Sequence, residues 1–486
     1  MADLVLVYPK TGLDIKDATI DLPLSSLSVA AMVAGERNVR IIDQRVDADW
    51  KSHLKKELAK NPVMVGTTSM TGSQINFALE ASKIVKENSH VPMVWGGVHP
   101  TLLPEQTLKH PLVDVVMAGE GELAVKKLVN ALEKGKGLER INNIYFEKEG
   151  KVVGKRVEEF FDMDKLPTLP YGLIDEKNYI STKSMVKEGA ARALPFITSR
   201  GCPHGCAFCC NPRLSKRRWR CMSAKKAYKD VMYMVERFDL DYVIFHDENF
   251  LTNPKRIEEL ATMINSRFGW SAQARMDELE RVDMKLLERN GLNLIQPGIE
   301  SGSDRILSLV NKGETKKQIV EANRQLAKTN ITAVYNFMMG FPTETIGEVG
   351  ETVDLALKLI KDNKNGQISG FYVFAPYPGT KLFDLAVKEG FEAPQDLEGW
   401  ARFSRQHLAT PWIQDKLPTL LNIMYTSKFV DGVRLKNFFK ELHLPDSAMR
   451  WAGNHYRKKW EKHEFKDSLD IKALNLAAKI RFGWKG

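Results

Sequence analysis

The sequence has few cysteines and no long apolar run. Only five cysteines occur among 486 residues, and three of them fall within eight positions, which does not fit a disulfide framework. No run of about eighteen apolar residues is present that could cross a membrane. Charged residues, among them Asp3, Asp14 and Lys16, interrupt the amino-terminal region where a secretory signal needs an apolar core. These absences predict a cytoplasmic protein without a transmembrane segment.

The chain also lacks a strong overall excess of one charge. Lys and Arg number 71 against 61 Asp and Glu, a net charge of +10. Residues 431–486 carry thirteen Lys and Arg against seven Asp and Glu, which is +6 of that excess. No nucleic-acid-binding motif accompanies the basic residues, so we expect a solvated helical face and no nucleic-acid partner. Contact of residues 471–484 with an acidic protein, a phosphorylated small molecule or the periphery of an anionic membrane stays open.

Short apolar runs alternate with helix-period segments from Leu4 to about Leu132, as in βα units under a parallel sheet. The five runs are Leu4–Tyr8, Val39–Asp43, Pro62–Gly66, Pro92–Trp95 and Val113–Met117. They predict an α/β, doubly wound (Rossmann-like) domain over residues 1–138, with ligands beyond the carboxyl ends of its strands. No G-x-G-x-x-G motif follows the first run, so a dinucleotide site is not supported.

A second βα series follows a change in pattern. The alternation stops over residues 139–193, which we interpret as a linker with a small hairpin around 144–153. Residues 194–398 then contain six runs: Pro195–Ser199, Tyr242–His246, Ser271–Arg275, Leu294–Gly298, Ala333–Met339 and Gly370–Phe374. Six units predict a partial (βα)6 barrel of the TIM type, with its chemistry at the carboxyl ends of the strands. Residues 399–486 have helical periodicity and predict a helical carboxyl-terminal region packed on the barrel mouth.

A C-x-x-x-C-x-x-C motif directly follows the first predicted barrel strand. It consists of Cys202, Cys206 and Cys209. Three thiolates so close together can each bind one iron of a [4Fe-4S] cluster and leave the fourth iron open to an exchangeable ligand. A structural zinc ion is the alternative, because His204 or Cys210 could supply the fourth ligand that zinc generally needs.

The motif, its place after the first strand and the partial barrel resemble the radical S-adenosylmethionine enzymes. The resemblance implies that Cys202, Cys206 and Cys209 hold a [4Fe-4S] cluster, which an external electron donor reduces, and that Cys210 and Cys221 are not ligands. It further implies S-adenosylmethionine-binding residues at successive strand ends. These are Phe208, Gly340 and Ala375 near the adenine, Asp247, Glu248 and Asn249 near the methionyl amino group, Arg275 near the methionyl carboxylate, and Gln296, Glu300 and Ser301 near the ribose.

The first predicted domain carries a second resemblance. Its motifs V-G-T-T-S-M-T at 65–71, G-G-V-H-P at 96–100 and G-E-G-E at 119–122 resemble the cobalamin-binding domain that precedes the barrel in one large class of these enzymes. Over about residues 1–395 this resemblance implies cobalamin contacts from Pro9, Leu24, Ser25, Ser69, Met70, Thr71, Gly96, Gly97, His99, Gly119, Glu120 and Gly121. The D-x-H-x-x-G motif of cobalt-binding histidines is absent, so we expect cobalamin bound without a histidine ligand and His99 as a turn or crevice residue.

The resembling class implies a cobalamin-dependent radical S-adenosylmethionine methyltransferase that methylates an unactivated carbon. In this class a 5′-deoxyadenosyl radical abstracts hydrogen and methylcobalamin delivers the methyl group, so we assign no side chain as a general base. The compact layout is similar to that of peptide-directed C-methylases acting on methyl-coenzyme M reductase, including a glutamine C-methylase, which favours a protein or peptide substrate. The alternatives are an oxidase or cyclase of the same class, a lipid (hopanoid-type) methylase, and a non-catalytic iron–sulfur protein.

Overall fold

The computed structural model describes residues 3–12, 14, 20–181, 192–403, 410–430, 446–466 and 470. The chain divides into two compact units. The first comprises Met1–Gly201, Arg213–Ile244 and Ala393–His407, and the second Cys202–Pro212, Phe245–Glu392 and Leu408–Gly486. Residues 471–484 and most of the basic segment 431–486 lie outside the described residues. No described helix is both long and apolar enough to cross a bilayer.

The first unit is built on a seven-stranded sheet. Its strands are β1 (Leu4–Tyr8), β2 (Val39–Asp43), β3 (Met64–Thr68), β4 (Met93–Gly96), β5 (Val115–Met117), β6 (Ile144–Lys148) and β7 (Lys151–Gly154), in the order β2-β1-β3-β4-β5-β6-β7. Strands β1 to β5 pair in parallel and are largely buried, which explains their nearly continuous apolar sequences. The chain order reverses between β1 and β3, where doubly wound folds bind ligands.

The hairpin that the sequence places within the linker extends this first sheet. Strand β6 pairs antiparallel with β5 and with β7. Ile144, Tyr145 and Phe146 are buried in the pairing, whereas β7 is mostly exposed. The hairpin therefore covers the edge that β5 would otherwise leave open.

The second sheet has six strands, which confirms the partial barrel. They are β8 (Ala193–Phe196), β11 (Tyr242–Phe245), β12 (Gly269–Ala274), β13 (Leu292–Glu300), β14 (Thr332–Met339) and β15 (Gly366–Val373), in the order β15-β14-β13-β12-β11-β8. Strands β12 to β15 pair in parallel. The expected first strand ran through Ser199, whereas Ser199 belongs to a separate antiparallel ribbon of β9 (Ser199–Arg200) and β10 (Arg220–Cys221).

Helices connect the strands of both sheets. They are α1 (Leu24–Ala31), α2 (Trp50–Leu58), α3 (Gln74–Asn88), α4 (Val98–Leu102), α5 (Pro104–Leu108), α6 (Val125–Lys134), α7 (Asn211–Leu214), α8 (Ala224–Phe238), α9 (Pro254–Ile264), α10 (Met284–Arg289), α11 (Asp304–Leu309), α12 (Lys316–Leu326), α13 (Ile346–Asp362), α14 (Lys381–Lys388), α15 (Leu397–Arg402), α16 (Leu417–Val430) and α17 (Asp446–Glu461). Short 3-10 helices occur at Gly121–Leu123, Leu138–Arg140, Met163–Lys165, Tyr171–Leu173, Glu176–Asn178, Phe250–Thr252, Met276–Arg281 and Pro411–Ile413. Helices α12 and α13 both begin with capping boxes, in which a threonine and a residue three positions later satisfy each other's backbone N–H groups.

The described part of the carboxyl-terminal region is helical, as expected. Helix α16 packs on β15 and α17 packs on α16. The Trp460 ring lies edge-on to Phe371 of β15, with 5.1 Å between ring centroids. Near the end of β14, the Trp412 indole donates to the Gly340 carbonyl at 3.0 Å. Residues 393–403 instead pack within the first unit, where Trp400 Nε1 donates to Gln106 Oε1 at 2.7 Å.

Candidate active site

The cysteine loop is anchored to neighbouring loops of the second unit through its backbone. The Ala207 N–H donates to the Val310 carbonyl at 2.7 Å, and the Ala207 carbonyl accepts from the Leu382 N–H at 2.9 Å. Asn311 Nδ2 donates to the Gly205 carbonyl at 2.8 Å. The loop that bears Cys202, Cys206 and Cys209 is therefore held between the segment after α11 and the start of α14.

All five cysteines are free thiols that are partly buried. Burial raises the pKa of Cys202 to about 11. It also raises the pKa of Cys206, although the positive charges of Lys312 and Arg275 oppose the shift. The pKa of Cys209 is raised by a hydrogen bond with Cys210 and by burial. These thiols hold their protons until a metal displaces them.

The donor set fits an iron–sulfur cluster better than a single ion. In the part of the chain that the structure describes, no three His, Cys, Asp or Glu side chains converge on the position of one ion. Each iron of a cluster takes its own cysteine ligand, so the three thiols need not meet at a point. The arrangement therefore favours the [4Fe-4S] assignment of Cys202, Cys206 and Cys209 over zinc.

Arg275, at the end of β12, is engaged by the protein itself. Its Nε donates to Asp277 Oδ1 at 2.9 Å, and its Nη2 donates to the Lys312 carbonyl at 2.7 Å. Nη1 lies 3.7 Å from Cys206 Sγ. The sequence predicts that Arg275 faces the methionyl carboxylate. The structure places its guanidinium against Cys206 and leaves it few free donors.

Three charged residues that the sequence analysis missed surround Arg275. Lys312 Nζ lies 3.0 Å from Glu300 Oε1 and 3.9 Å from Glu314 Oε2, and Glu314 Oε1 accepts the Asp277 N–H at 2.9 Å. Burial raises the pKa of Glu314 to about 7. Burial opposes the charged form of Lys312, but the two glutamates hold its pKa above the usual value. Their position directly after β12 and α11 is the signal that could have indicated Asp277, Lys312 and Glu314.

The ribose candidates at the end of β13 take different positions. Glu300 lies at a bulge with a left-handed φ of 64°. A Cβ on Gly298 would meet the side-chain ends of Glu300 and Lys312, which would have to shift. The Ser301 hydroxyl pairs with Thr352 Oγ1 at 3.1 Å, which turns it toward α13. Gln296 is half-buried within β13.

The segment after β11 is linked to the cysteine loop by a further residue that the sequence analysis missed. Asp247 and Asn249 are buried and Glu248 is exposed. Glu278, only 2% exposed, accepts on Oε1 from Asn249 Nδ2 at 2.8 Å and lies 3.0 Å from His204 Nε2. A single buried carboxylate thus joins the loop between Cys202 and Cys206 to the predicted amino-group subsite.

Apolar side chains surround the three residues that are predicted to lie near the adenine of S-adenosylmethionine. Phe208 packs against Phe341, with 6.4 Å between ring centroids, in a cluster that also contains Phe374. Gly340 has a φ of 78°, and a Cβ there would lie 3.2 Å from Leu420 and from Val373. Ala375 is half-buried after β15. This apolar wall suits the face of a purine ring.

In the first unit, the loops after β3 and β4 meet at the carboxyl edge of the sheet. The Ser69 N–H donates to the Gly96 carbonyl and the His99 N–H to the Ser69 carbonyl, both at 3.0 Å. Thr71 Oγ1 lies 3.0 Å from His99 Nδ1. A Cβ on Gly97, whose φ is 97°, would lie 2.8 Å from the Ser69 nitrogen. The structure therefore brings five of the cobalamin candidates together.

Two buried polar atoms at this edge have no hydrogen-bond partner among the described residues. They are Ser69 Oγ and His99 Nε2. Burial lowers the pKa of His99 to about 4, so the ring is neutral, and it packs edge-on to Trp400 at 5.9 Å. Met70 beside them is 49% exposed. Buried polar atoms are normally satisfied, so the orphaned pair fits a bound polar molecule such as cobalamin.

The remaining cobalamin candidates differ from one another in the contacts that they make. The Pro9 carbonyl accepts from Gln74 Nε2 at 3.2 Å, and Gly119 has open space where a Cβ would lie. Glu120 pairs instead with Arg220 at 2.6 Å and also accepts the Phe161 N–H. A Cβ on Gly121 would lie 2.8 Å from the Val29 side chain of α1, so this glycine serves packing. Leu24 and Ser25 lie in the first turn of α1.

Comparison with known proteins gives matches along most of the chain. Residues 16–129 match the family model of the B12 binding domain, and residues 196–356 match that of the Radical SAM superfamily. The chain is 32% identical to an uncharacterized methyltransferase of Pyrococcus horikoshii over 450 residues, which cover 90% of this chain and 95% of the relative. It is 26% identical to the anaerobic magnesium-protoporphyrin IX monomethyl ester cyclase of Cereibacter sphaeroides over 94% of this chain and 73% of that protein.

Two solved structures share the fold. The cobalamin-dependent S-adenosylmethionine radical enzyme OxsB, with aqua-cobalamin and S-adenosylmethionine bound, superposes with a TM-score of 0.67 and 18% identity over 98% of this chain and 83% of OxsB. The radical S-adenosylmethionine methyltransferase TsrM of Kitasatospora setae, with cobalamin and a [4Fe-4S] cluster bound, superposes with a TM-score of 0.64 and 18% identity over 81% of this chain and 76% of TsrM. At this identity the similarity establishes the fold and the order of its two sheets.

Proposed function

Because this chain belongs to the cobalamin-dependent radical S-adenosylmethionine enzymes, with a methyltransferase among its relatives, we propose that it methylates an unactivated carbon. Family membership makes it an enzyme that uses a [4Fe-4S] cluster, S-adenosylmethionine and cobalamin. The observation that carries the proposal is that one chain contains both a free-thiol loop at the barrel strand ends and an edge of orphaned polar atoms on the first sheet. The two together provide a place for a radical-generating cofactor and for a methyl carrier.

When bound, the cofactors supply radical generation and methyl transfer, and the protein supplies binding, orientation and exclusion of water. Cys202, Cys206 and Cys209 would ligate the cluster. The wall formed by Phe208 and Phe341 would exclude water beside the adenine. An unactivated C–H group has no acidic proton, so a general base would not help, and positioning is the main task of the side chains.

Cobalamin would lie against the loops after β3 and β4. Ser69 Oγ and His99 Nε2 would gain the hydrogen-bond partners that the described residues do not give them. The neutral His99 ring, held by Thr71, would act as a crevice residue. A hydrogen bond to a buried polar atom that otherwise lacks one stabilises the folded unit. Cobalamin binding would therefore also raise the thermal stability of this unit.

For the substrate we propose a residue of a protein or peptide. The support is the compact layout, in which about 90 residues follow the barrel with a net positive charge that suits an acidic partner. Relatives with other named activities give the competing class: bacteriochlorophyllide d methyltransferases of Chlorobaculum tepidum are 24% and 23% identical to this chain. A tetrapyrrole is therefore the substrate against which a peptide must be tested.

Oxidative cyclisation is the second candidate function. It is favoured by one observation, the 26% identity to the magnesium-protoporphyrin IX monomethyl ester cyclase along 94% of this chain. A cyclase product loses hydrogen and gains a ring bond, whereas a methylated product gains one carbon. The mass of the product therefore separates the two reactions.

The test is an anaerobic assay of the full chain reconstituted with iron, sulfide and hydroxocobalamin. Dithionite and S-adenosylmethionine labelled in its methyl group are added with either the protein fraction or the tetrapyrrole fraction of a cell extract. Methylation predicts a labelled methyl group in the product and both S-adenosylhomocysteine and 5′-deoxyadenosine as co-products. Cyclisation predicts 5′-deoxyadenosine, no incorporated label and a lighter product, which would overturn the proposal. Label in the tetrapyrrole fraction alone would overturn the peptide assignment.

A matched pair of cysteine variants controls this assay. Cys206→Ala removes a proposed cluster ligand and should abolish 5′-deoxyadenosine formation. Cys221→Ala removes a cysteine of β10 outside the motif and should keep it. Equal activity of the two variants would contradict the ligand assignment.

A further inference from the structure

We propose that Arg275 and Lys312 raise the reduction potential of the cluster by placing two buried positive charges in the network that contacts Cys206. The proposal deepens the proposed function and rests on its cluster assignment. It gives Arg275 a role other than binding the methionyl carboxylate, and it gives Lys312, which is outside the cysteine motif, a positioning and electrostatic role.

The orientation of Arg275 is determined by protein contacts. Its Nε and Nη2 donate to the two carboxylate oxygens of Asp277 at 2.9 and 3.1 Å, and Nη2 also donates to the Lys312 carbonyl at 2.7 Å. The side chain is 7% exposed. These anchors leave Nη1 directed at Cys206 Sγ, 3.7 Å away. The donor is thus pre-oriented toward a ligand sulfur.

Lys312 supplies the second charge of the same network. Its side chain is 5% exposed and is held between Glu300, at 3.0 Å, and Glu314, at 3.9 Å. The Lys312 carbonyl accepts from Arg275 Nη2 at 2.7 Å, and the same guanidinium contacts Cys206, so the Lys312 charge belongs to the buried network that reaches the cysteine loop. A charge that favours a thiolate also favours a more negative cluster.

The redox consequence follows from the sign of these charges. On reduction the oxidised cluster accepts one electron from an external low-potential reductant, here dithionite, and no bond is made or broken in the protein. The reduced cluster carries one more negative charge, which buried cations and N–H···S contacts stabilise. Because both side chains are buried, bulk solvent screens their charges little and the charges act strongly. Arg275 and Lys312 should therefore make the cluster easier to reduce.

Neutralising an acidic residue of the network should shift the reduction potential in the opposite direction. Glu300 places a negative charge 3.0 Å from Lys312 Nζ and so opposes the effect of the cations. Neutralising it should raise the potential, while neutralising Lys312 or Arg275 should lower it. Mere loss of packing would not produce shifts in opposite directions, so the sign separates an electrostatic role from a structural one.

The experiment is a potentiometric titration of the reconstituted full chain, followed by the electron paramagnetic resonance signal of the reduced cluster, without S-adenosylmethionine. We expect Lys312→Met and Arg275→Gln each to lower the ratio of reduced to oxidised cluster at a fixed potential about tenfold, equivalent to about 59 mV for one electron. Arg275→Lys keeps the charge and should stay near the wild-type ratio. Glu300→Gln should raise the ratio.

The outcomes separate this proposal from the proposed function. Wild-type potentials in Lys312→Met and Arg275→Gln would overturn the proposal, as would an effect of Arg275→Gln confined to binding of S-adenosylmethionine. If those variants do not assemble a cluster, Glu300→Gln decides alone, since an unchanged or lowered potential overturns the proposal. A wild-type chain that assembles no cluster would instead refute the cluster assignment under the proposed function.

Discussion

Two glutamates four residues apart after β14 lie in opposite environments. Glu344 is 1% exposed, and its Oε2 accepts the N–H groups of Gly340 and Phe341. Burial raises its pKa to about 7. Glu348 instead forms a bidentate pair with Arg305, which lowers its pKa to about 2. The same residue type therefore has opposite effects on stability as the pH changes.

Glu344→Gln should remove a pH dependence of stability. The folded protein binds the Glu344 proton more tightly than the unfolded chain does, because its pKa rises from an ordinary 4.5 to about 7. Stability from this group is therefore lost as the pH rises between these values, by about 3 kcal/mol. We expect the thermal midpoint of Glu344→Gln to rise relative to that of the wild type as the pH increases from about 5 to about 8.

Glu348→Gln is the matched control for this measurement. Its folded pKa lies below the unfolded value, so its stabilisation is present above about pH 4.5 and is lost as the pH falls toward 2. The difference in thermal midpoint between Glu348→Gln and the wild type should stay constant between about pH 5 and pH 8. A constant difference for Glu344→Gln over that range would contradict the burial of an ionisable carboxyl at this position.

At the residue scale, the sequence predicts chemistry that a local motif encodes. The spacing of Cys202, Cys206 and Cys209 is enough to indicate a cluster, because the three ligands share one short loop. The contact between Arg275 and Cys206 joins residues 69 positions apart, and Lys312 reaches the same site from a third loop. Such convergence depends on the packing of the folded chain, which single-residue patterns do not contain.

At the element scale, apolar runs predict strands well and their ends less well. The predicted bounds of β1 and β2 agree with the structure because both strands are buried along most of their length. The predicted first barrel strand extends beyond Phe196, where β8 ends, because Ser199 pairs with Cys221 in an antiparallel ribbon. That pairing spans 22 residues and has no tight-turn signature, so nothing local in the sequence indicates it.

The loop after β4 gives a prediction at this scale. Gly97→Ala should disrupt the proposed cobalamin site at the loops after β3 and β4. The added Cβ would meet Thr68 Oγ1 and would lie 2.8 Å from the Ser69 nitrogen. The loop after β3 would have to move, and with it Ser69. We expect at least tenfold weaker binding of hydroxocobalamin, measured by equilibrium dialysis of the full chain.

Gly135→Ala is the control for Gly97→Ala. Gly135 also has a positive φ, 63°, at the end of α6, but a Cβ there meets no atom within 4 Å. It should cost about 1 kcal/mol of stability from the backbone alone and leave cobalamin binding unchanged. Equal binding by the two variants would show that the loop after β4 does not shape the site.

At the scale of the whole molecule, the two sets of candidate residues fall in different compact units. The predicted cluster and S-adenosylmethionine residues all lie within Cys202–Pro212 and Phe245–Glu392, and every cobalamin candidate lies within Met1–Gly201. Each site is formed by the carboxyl ends of its own sheet. The contacts described above for each set of candidates join residues of the same unit.

This separation predicts that the two cofactors load independently. Cys206→Ala should lose most of about four irons per chain and still bind hydroxocobalamin as the wild type does, because Ser69, Gly97 and His99 are untouched. Gly97→Ala should show the reverse: full iron and sulfide content with weakened cobalamin binding. Iron, sulfide and corrin content measured on the same preparations test this, with Cys221→Ala expected to load both. If either substitution reduced both cofactors in proportion, assembly of one site would require the other, and the independence inferred from the two units would be wrong.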